Sequence, residues 1–332
     1  MEPKMLAGDL TNLLGVTPQA IHNQLKRKQL PFIKSRNRVY FSHSTTKQIL
    51  NLSFKPQTIA FQIIKGGTGK TTICHSIAVR AALYGARVLC IDLDQQGNLT
   101  TAFRVNPDNQ PVMIELLTGS KPIEEGIVQV CDGIDLLPSR IENALLDNFL
   151  MLKRFALDRV YKDLIQPLKK KYDLILIDCP PALGTSVTSA ALASDMVICP
   201  VTPGRFDLSG LNLSISEMAE IEKNYDRKIP IKILLNGFDS RKSLSHEILK
   251  FLVKHESYGD KLFKTTVRTS QEFTNVIMEG TSIFDSLKNG IAKEDIDLLT
   301  REILGLEEMI RQQNEPTRLE PREEERFSQL SA

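Results

Sequence analysis

At 332 residues the chain is long enough for one large domain plus a small module. Its composition, 42% hydrophobic and 25% charged with a net charge of +2, is that of an ordinary globular protein; no apolar run approaches the roughly 20 residues that span a bilayer, and the first residues lack a signal-peptide core, so the expectation is a cytoplasmic protein that neither crosses nor needs a membrane. Five scattered cysteines (Cys74, Cys90, Cys131, Cys179, Cys199) contain no C-x-x-C pair, which argues against a zinc or iron–sulfur site and reads each as a small buried hydrophobe in a reducing compartment.

Charge is unevenly placed. Residues 1–56 hold nine Lys/Arg against two Asp/Glu, whereas the remainder holds 33 against 38. A basic module on a mildly acidic body suggests nucleic acid at one end, with a solvated basic linker as the alternative. Leu6, Leu10, Leu13 and Leu14 fall at helical spacing until Gly15-Val16 breaks the run. Thr17-Pro18 then supplies an N-cap and a proline at the first helical position. The next helix carries Ala20, Ile21 and Leu25 inward and Gln19, His22, Asn23, Lys26 and Arg27 outward, and ends by Pro31. Phe32-Ile33, a charged tip over residues 34–38 and Val39-Tyr40-Phe41 read as a β-wing. Together these residues resemble the winged helix-turn-helix of MerR-type DNA readers. The resemblance implies base-edge contacts from Gln19, His22, Asn23 and Lys26 and phosphate contacts from Arg36 and Arg38. A helical cap with no DNA role is the alternative.

From residue 57 strand-like and helix-like stretches alternate, which predicts a doubly wound, mainly parallel α/β sheet. Apolar runs at Thr58–Ile64, Arg87–Ile91, Leu174–Ile177, Met196–Pro200 and Ile231–Leu235 suit strands buried on both faces. Ile73–Tyr84, Glu142–Lys170, Leu208–Asn224 and Ser243–His255 read as crossover helices; Phe149, Phe155, Tyr161 and His75 in them read as packing residues. Between the first strand and the first helix lies Lys65-Gly66-Gly67-Thr68-Gly69-Lys70-Thr71-Thr72. Glycines let successive N–H groups turn toward phosphate oxygens, the helix start adds partial positive charge, Lys70 adds a full one, and Thr71 brings a hydroxyl to where Mg²⁺ bridges the β- and γ-phosphates. The strict pattern G-x-x-x-x-G-K-[ST] fails, since Ile64 stands at its first glycine, and the additional lysine is Lys65.

Two acidic segments follow at strand ends: Asp92-Leu93-Asp94-Gln95-Gln96-Gly97-Asn98 and Asp178-Cys179-Pro180-Pro181. Ligands of open α/β sheets bind at the carboxyl ends of strands, and three converging carboxylates require a cation to offset their repulsion. The two-lysine loop and these segments, in this order, resemble the deviant Walker A ATPases of the ParA/MinD group over residues 57–310. The resemblance implies a P-loop NTPase that uses ATP and Mg²⁺. Lys70 would hold phosphate oxygens, Thr71 would ligate the metal, Asp92 and Asp178 would hold metal-bound water, Asp94 would orient the attacking water, and Lys65 would reach the ATP of a second subunit. Asn236, in Leu235-Asn236-Gly237-Phe238, is a candidate for adenine contact or a turn-former, opposite Pro200-Val201-Thr202-Pro203. Lys264 and Arg268 stand where relatives carry basic residues for sequence-independent DNA binding, or are ordinary surface charge.

The reading is thus a nucleoid-associated DNA-partitioning ATPase, serving a plasmid. It would be a homodimer on ATP, bind DNA non-specifically, be stimulated by a ParB-like centromere-binding partner, and use residues 1–56 for operator binding and autoregulation. Residues 57–315 form the ATPase domain and 316–332 a polar, disordered tail. Its rivals are a MinD-like membrane-cycling positioner, whose basic amphipathic helix is replaced here by a stretch with Glu302, Glu307 and Glu308, and a repressor using the ATPase fold as a ligand-sensing dimerisation module.

Overall fold

The apolar runs form strands because valine, isoleucine and leucine fill a pleated surface covered on both sides. In the computed structural model, which describes residues 1–35, 38–119 and 121–314, the strands in chain order are β1 (Met5–Leu6), β2 (Ile33–Ser35), β3 (Arg38–Phe41), β4 (Gln57–Phe61), β5 (Val88–Asp92), β6 (Val128–Cys131), β7 (Ile134–Leu137), β8 (Leu174–Asp178), β9 (Met196–Val201), β10 (Ile231–Phe238) and β11 (Val267–Arg268). The large sheet runs β11-β10-β9-β4-β8-β5-β7-β6, all pairs parallel except β6 with β7. From β4 the chain builds outward in both directions, so the strand order reverses beside β4 and opens a crevice at its carboxyl end. The phosphate loop leaves β4 at that point.

Two stretches differ from the sequence reading. Residues 142–170 are not one helix: a 3₁₀ turn at Ile141–Leu145 leads into a helix at Leu146–Leu152, and a second helix, Val160–Ile165, leads into a 3₁₀ turn at Gln166–Lys170. Arg154 adopts φ 52°, a left-handed conformation that stops a helix, and Pro167 removes a donor from the ladder. The β6–β7 hairpin was not foreseen, although Asp132-Gly133, with Gly133 at φ 87°, is a hairpin-turn pair. The tail at 316–332 lies outside the described residues, as does Arg36. Cys131 is half-buried, while Cys74, Cys90, Cys179 and Cys199 are buried.

In the N-terminal region, helices Ala7–Leu14 and Pro18–Arg27 precede the β2–β3 hairpin, and helix His43–Leu50 follows it. Gly15 at φ 64° ends the first helix, and the Thr17 hydroxyl accepts the Ala20 N–H at 3.3 Å to start the second. This region is welded to the body. Met5, Leu10, Ile21, Leu25 and Phe41 belong to the same apolar core as Ile77 and Tyr84 of the helix Lys70–Leu83 and its cap. His43 Nδ1 lies 2.7 Å from the Ala82 carbonyl, and a Cβ on Gly85 would meet the Lys47 Cα at 2.9 Å. At the seam Arg80, fully buried, pairs with Asp9 at 3.0 Å and Asp297 at 2.5 Å. Its guanidinium stacks 4.6 Å from the Tyr84 ring centroid and 5.1 Å from that of Phe284.

Candidate functional site

The loop from Gln62 to Gly69 joins β4 to the helix Lys70–Leu83, with Gly67 at φ 75° and Gly69 at φ 89°. Only glycine takes these angles without strain, and they curl the loop back over the helix start. Lys70 is buried and turned inward, its Nζ 3.4 Å from the Lys65 carbonyl, in the concavity where phosphate oxygens would sit. Burial pulls the Lys70 ammonium below its ordinary value, against the opposing pull of Asp178.

Beneath the loop, Asp92 and Asp178 are register partners at the ends of β5 and β8. The Thr71 hydroxyl donates to Asp178 Oδ2 at 2.6 Å, while Asp178 Oδ1 is buried with no hydrogen-bond partner. Burial, reinforced by Asp92, raises the Asp178 carboxyl to about 8. Burial likewise raises Asp92 to about 7, although hydrogen bonds from Thr100 pull it down. Asp92 is largely occupied: it accepts the Thr100 N–H at 2.9 Å, the Thr100 hydroxyl at 2.7 Å and the Asp94 N–H at 3.1 Å. It therefore anchors the turn that carries Asp94, whose own carboxylate accepts the Gln96 N–H at 3.0 Å. A buried carboxylate with one orphan oxygen beside a hydroxyl is a site short of positive charge, and a Mg²⁺ ion with its water shell fits that deficit. Among the described residues no group of three His, Cys, Asp or Glu side chains could hold a metal unaided.

Asn236 lies beside the loop. Its Nδ2 donates to the Thr68 carbonyl at 2.8 Å and occupies the space a Cβ on Gly69 would need, 2.3 Å away. The adjoining backbone bends at a β10 irregularity between Asn236 and Phe238, with Gly237 at φ 68°. Lys65 is half-buried at the loop's entrance. There the Ile64 N–H donates to the Ser214 hydroxyl at 3.2 Å, and Gly210 lets the helix Arg205–Tyr225 approach, an ideal Cβ on it lying 3.4 Å from that of Lys65.

The sequence-predicted site residues fall in three places. Residues 65–72, Asp92, Asp94, Asp178 and Asn236 converge on one crevice. Gln19, Asn23 and Lys26 lie exposed on one face of the helix Pro18–Arg27, where Gln19 and Asn23 share a 3.1 Å hydrogen bond; His22 stacks near Phe32, and Arg38 is exposed on the hairpin. Lys264 is exposed, but Arg268 is engaged: its guanidinium holds Asp295 at 3.0 Å and Glu294 at 2.7 Å. A phosphate would have to displace those carboxylates, so Arg268 is first a clamp on the helix Ile291–Leu304. Thr100 and Ser214, which fix Asp92 and the entrance to the loop, escaped the sequence reading. Nothing near them in the chain marks those roles, because their partners come from other elements.

Residues 56–231 match a family model described as an AAA domain. The chain is 30% identical over 257 residues to a ParA family protein of Chlamydia pneumoniae, covering 75% of this chain and 98% of that one. It is 28% identical over 228 residues to the sporulation initiation inhibitor protein Soj of Bacillus subtilis, covering 68% and 89%. Among solved structures, McdA of Cyanothece in a complex with ATP superposes with a TM-score of 0.68 at 19% identity, over 76% of this chain and 98% of that one, a likeness of fold.

Proposed function

The chain belongs to the ParA family and is a P-loop ATPase, and from that premise we propose that it partitions DNA: ATP joins two subunits, the joined form holds DNA, and hydrolysis separates them. The observation that supports this best is the Thr71–Asp178 pair under the glycine loop, with its unmatched buried oxygen. Lys70 and the N–H groups of Gly67 to Thr72 would bind the β- and γ-phosphates. Thr71, whose hydroxyl donates its hydrogen bond to Asp178, would have its lone pairs free for Mg²⁺, and Asp178 and Asp92 would hold the ion's waters. When bound, that ion neutralises charge between the β- and γ-phosphates. Asp94, fixed by the Asp92-anchored turn, would orient a water for attack on the γ-phosphorus; the bond to the bridging oxygen breaks, leaving ADP and inorganic phosphate. Lys65, carried at the loop's mouth apart from Lys70, would place its charge on the nucleotide of the second subunit.

In the same reading the joined form binds DNA phosphates without sequence preference, Lys264 among the contacts, and a ParB-like protein accelerates hydrolysis. The exposed face carrying Gln19, Asn23 and Lys26 would read an operator, giving autoregulation, and the protein would work on the nucleoid. A membrane-cycling role has less support. No described helix is long and apolar enough to cross a membrane, and the last two described helices, Ile291–Leu304 and Leu306–Asn314, bury Ile296, Leu299, Leu306 and Ile310 against the body.

Turnover and DNA binding by the full chain test this. Lys70→Ala is expected to abolish nucleotide binding. Lys65→Ala and Asp94→Ala are expected to bind ATP but lose turnover, and Lys26→Glu to lose operator binding while ATP-dependent non-specific binding persists. Undiminished turnover in Lys65→Ala would remove the two-subunit mechanism. Negligible turnover by the parent with DNA and partner present would favour a nucleotide-sensing repressor.

A further inference from the structure

Large apolar side chains on a helix surface are stable in water only where another surface covers them. The segment from Ile141 to Leu152, a 3₁₀ turn running into a helix, carries such side chains on two sides, between Glu142, Asn143, Asp147 and Asn148. Its inner side packs Leu146 and Leu150 into the core. Its outer side carries Ile141, Leu145, Met151 and Leu152, between 58% and 81% exposed. Their spacing, with Ala144 and Asn148 between them, draws a stripe along one helical face, the pattern of a helix-pairing seam.

The stripe's position indicates what covers it. Asp147 roots the segment on the first turn of the helix Thr185–Ala193, accepting the Ser186 N–H at 2.7 Å and the Thr185 hydroxyl at 3.1 Å. Gly184 makes room for this, since a Cβ there would lie 2.3 Å from Asp147 Oδ2. The loop leading into that helix begins at Asp178, passes Pro181, which would touch a Cβ on Gly66 at 4.0 Å, and exposes Leu183. One continuous rim thus runs from the phosphate loop through Pro181 and Leu183 to the apolar stripe.

We propose that this stripe is the apolar flank of the contact between two copies of the chain, covered when they close over nucleotide. The inference rests on the reading that ATP joins two subunits and adds where much of the contact's apolar area lies. A two-fold contact uses the same patch on both copies, so one substitution acts twice.

Sedimentation velocity of full-length protein with Mg²⁺ and a slowly hydrolysed ATP analogue tests it, alongside a fluorescent ATP analogue to measure nucleotide binding. Leu152→Glu and Met151→Glu replace exposed side chains, so both should fold and bind nucleotide within about twofold of the parent, whereas their dimer dissociation constants should rise by at least about a hundredfold. Leu152→Met should dimerise as the parent does. Parent-like dimerisation of both glutamate variants would overturn the proposal while leaving nucleotide-driven pairing intact. The same holds if they dimerise normally but lose stimulation by a partner protein or binding to anionic vesicles. A parent that stays monomeric with the analogue would instead overturn the two-subunit reading itself.

Discussion

Replacing Arg80 with methionine keeps most of the side chain's bulk but removes the charge that joins three distant segments. Arg80 is 1% exposed, whereas its partners Asp9 and Asp297 are 28% and 18% exposed. Burial alone would lower its pKa, but the Tyr84 oxygen, Asp297 and Asp9 more than offset this and raise it, so it stays charged at every pH of interest. Breaking a buried ion pair typically costs about 3–5 kcal/mol because a charge is left behind. Here water reaches both carboxylates in part, and Arg301 still holds Asp297 at 2.8 Å, so a cost of about 2–4 kcal/mol is expected. At roughly 2 °C per kcal/mol for a chain of this size, the melting temperature should fall by about 4–8 °C. Asp9→Asn leaves the Arg80–Asp297 pair in place and should cost about 1 kcal/mol. With no tryptophan in the chain, unfolding is best followed by far-ultraviolet circular dichroism, with proteolysis within residues 51–56 reporting release of the N-terminal module. The reasoning fails if Arg80→Met melts within about 1 °C of the parent, or if Asp9→Asn costs as much as Arg80→Met.

His75 lies in the same helix, 1% exposed, against Phe103 at 4.6 Å, with Nε2 unpartnered, and burial lowers its pKa to about 4. The unfolded chain protonates it near 6.5, so this histidine's stabilising share is complete above that pH and is lost as pH falls toward 4, by up to about 3 kcal/mol. His75→Leu should flatten that acid limb of the melting-temperature profile relative to the parent; parallel profiles would contradict the buried neutral imidazole. At the loop, Gly69→Ala meets both a left-handed backbone and the Asn236 amide. ATP affinity measured by equilibrium fluorescence should drop at least about tenfold, and adding Asn236→Ala should restore only the part due to the clash. Full recovery in the double variant would mean that backbone strain plays no part.

Chemistry confined to neighbouring residues was readable without the fold. Positive-φ glycines beside a lysine and a threonine specify a phosphate loop wherever a strand and a helix flank them, and runs of β-branched residues specify strands covered on both sides. That is why residues 65–72 and the aspartates at strand ends stood out, and why the Thr17-Pro18 helix start did too. The Asp132-Gly133 hairpin belongs to this class as well, while the break at Arg154 has no side-chain signal: this exposed residue takes a left-handed backbone that lets the Phe155 N–H close the helix onto the Leu150 carbonyl.

Partners far apart in the chain were decided only when the elements packed. Asp297 is 217 residues from Arg80, and Ser214 is 150 from Ile64. Arg268 reads in the sequence as a free surface cation, yet its guanidinium holds Asp295, and Asp92 reads as a carboxylate open to a metal's waters, yet it also accepts the Thr100 hydroxyl. A charge or hydroxyl is indifferent to which complementary group satisfies it, so residue type foretells that a bond will form but not with whom. Strand order, and with it the crevice beside β4, supplies the address.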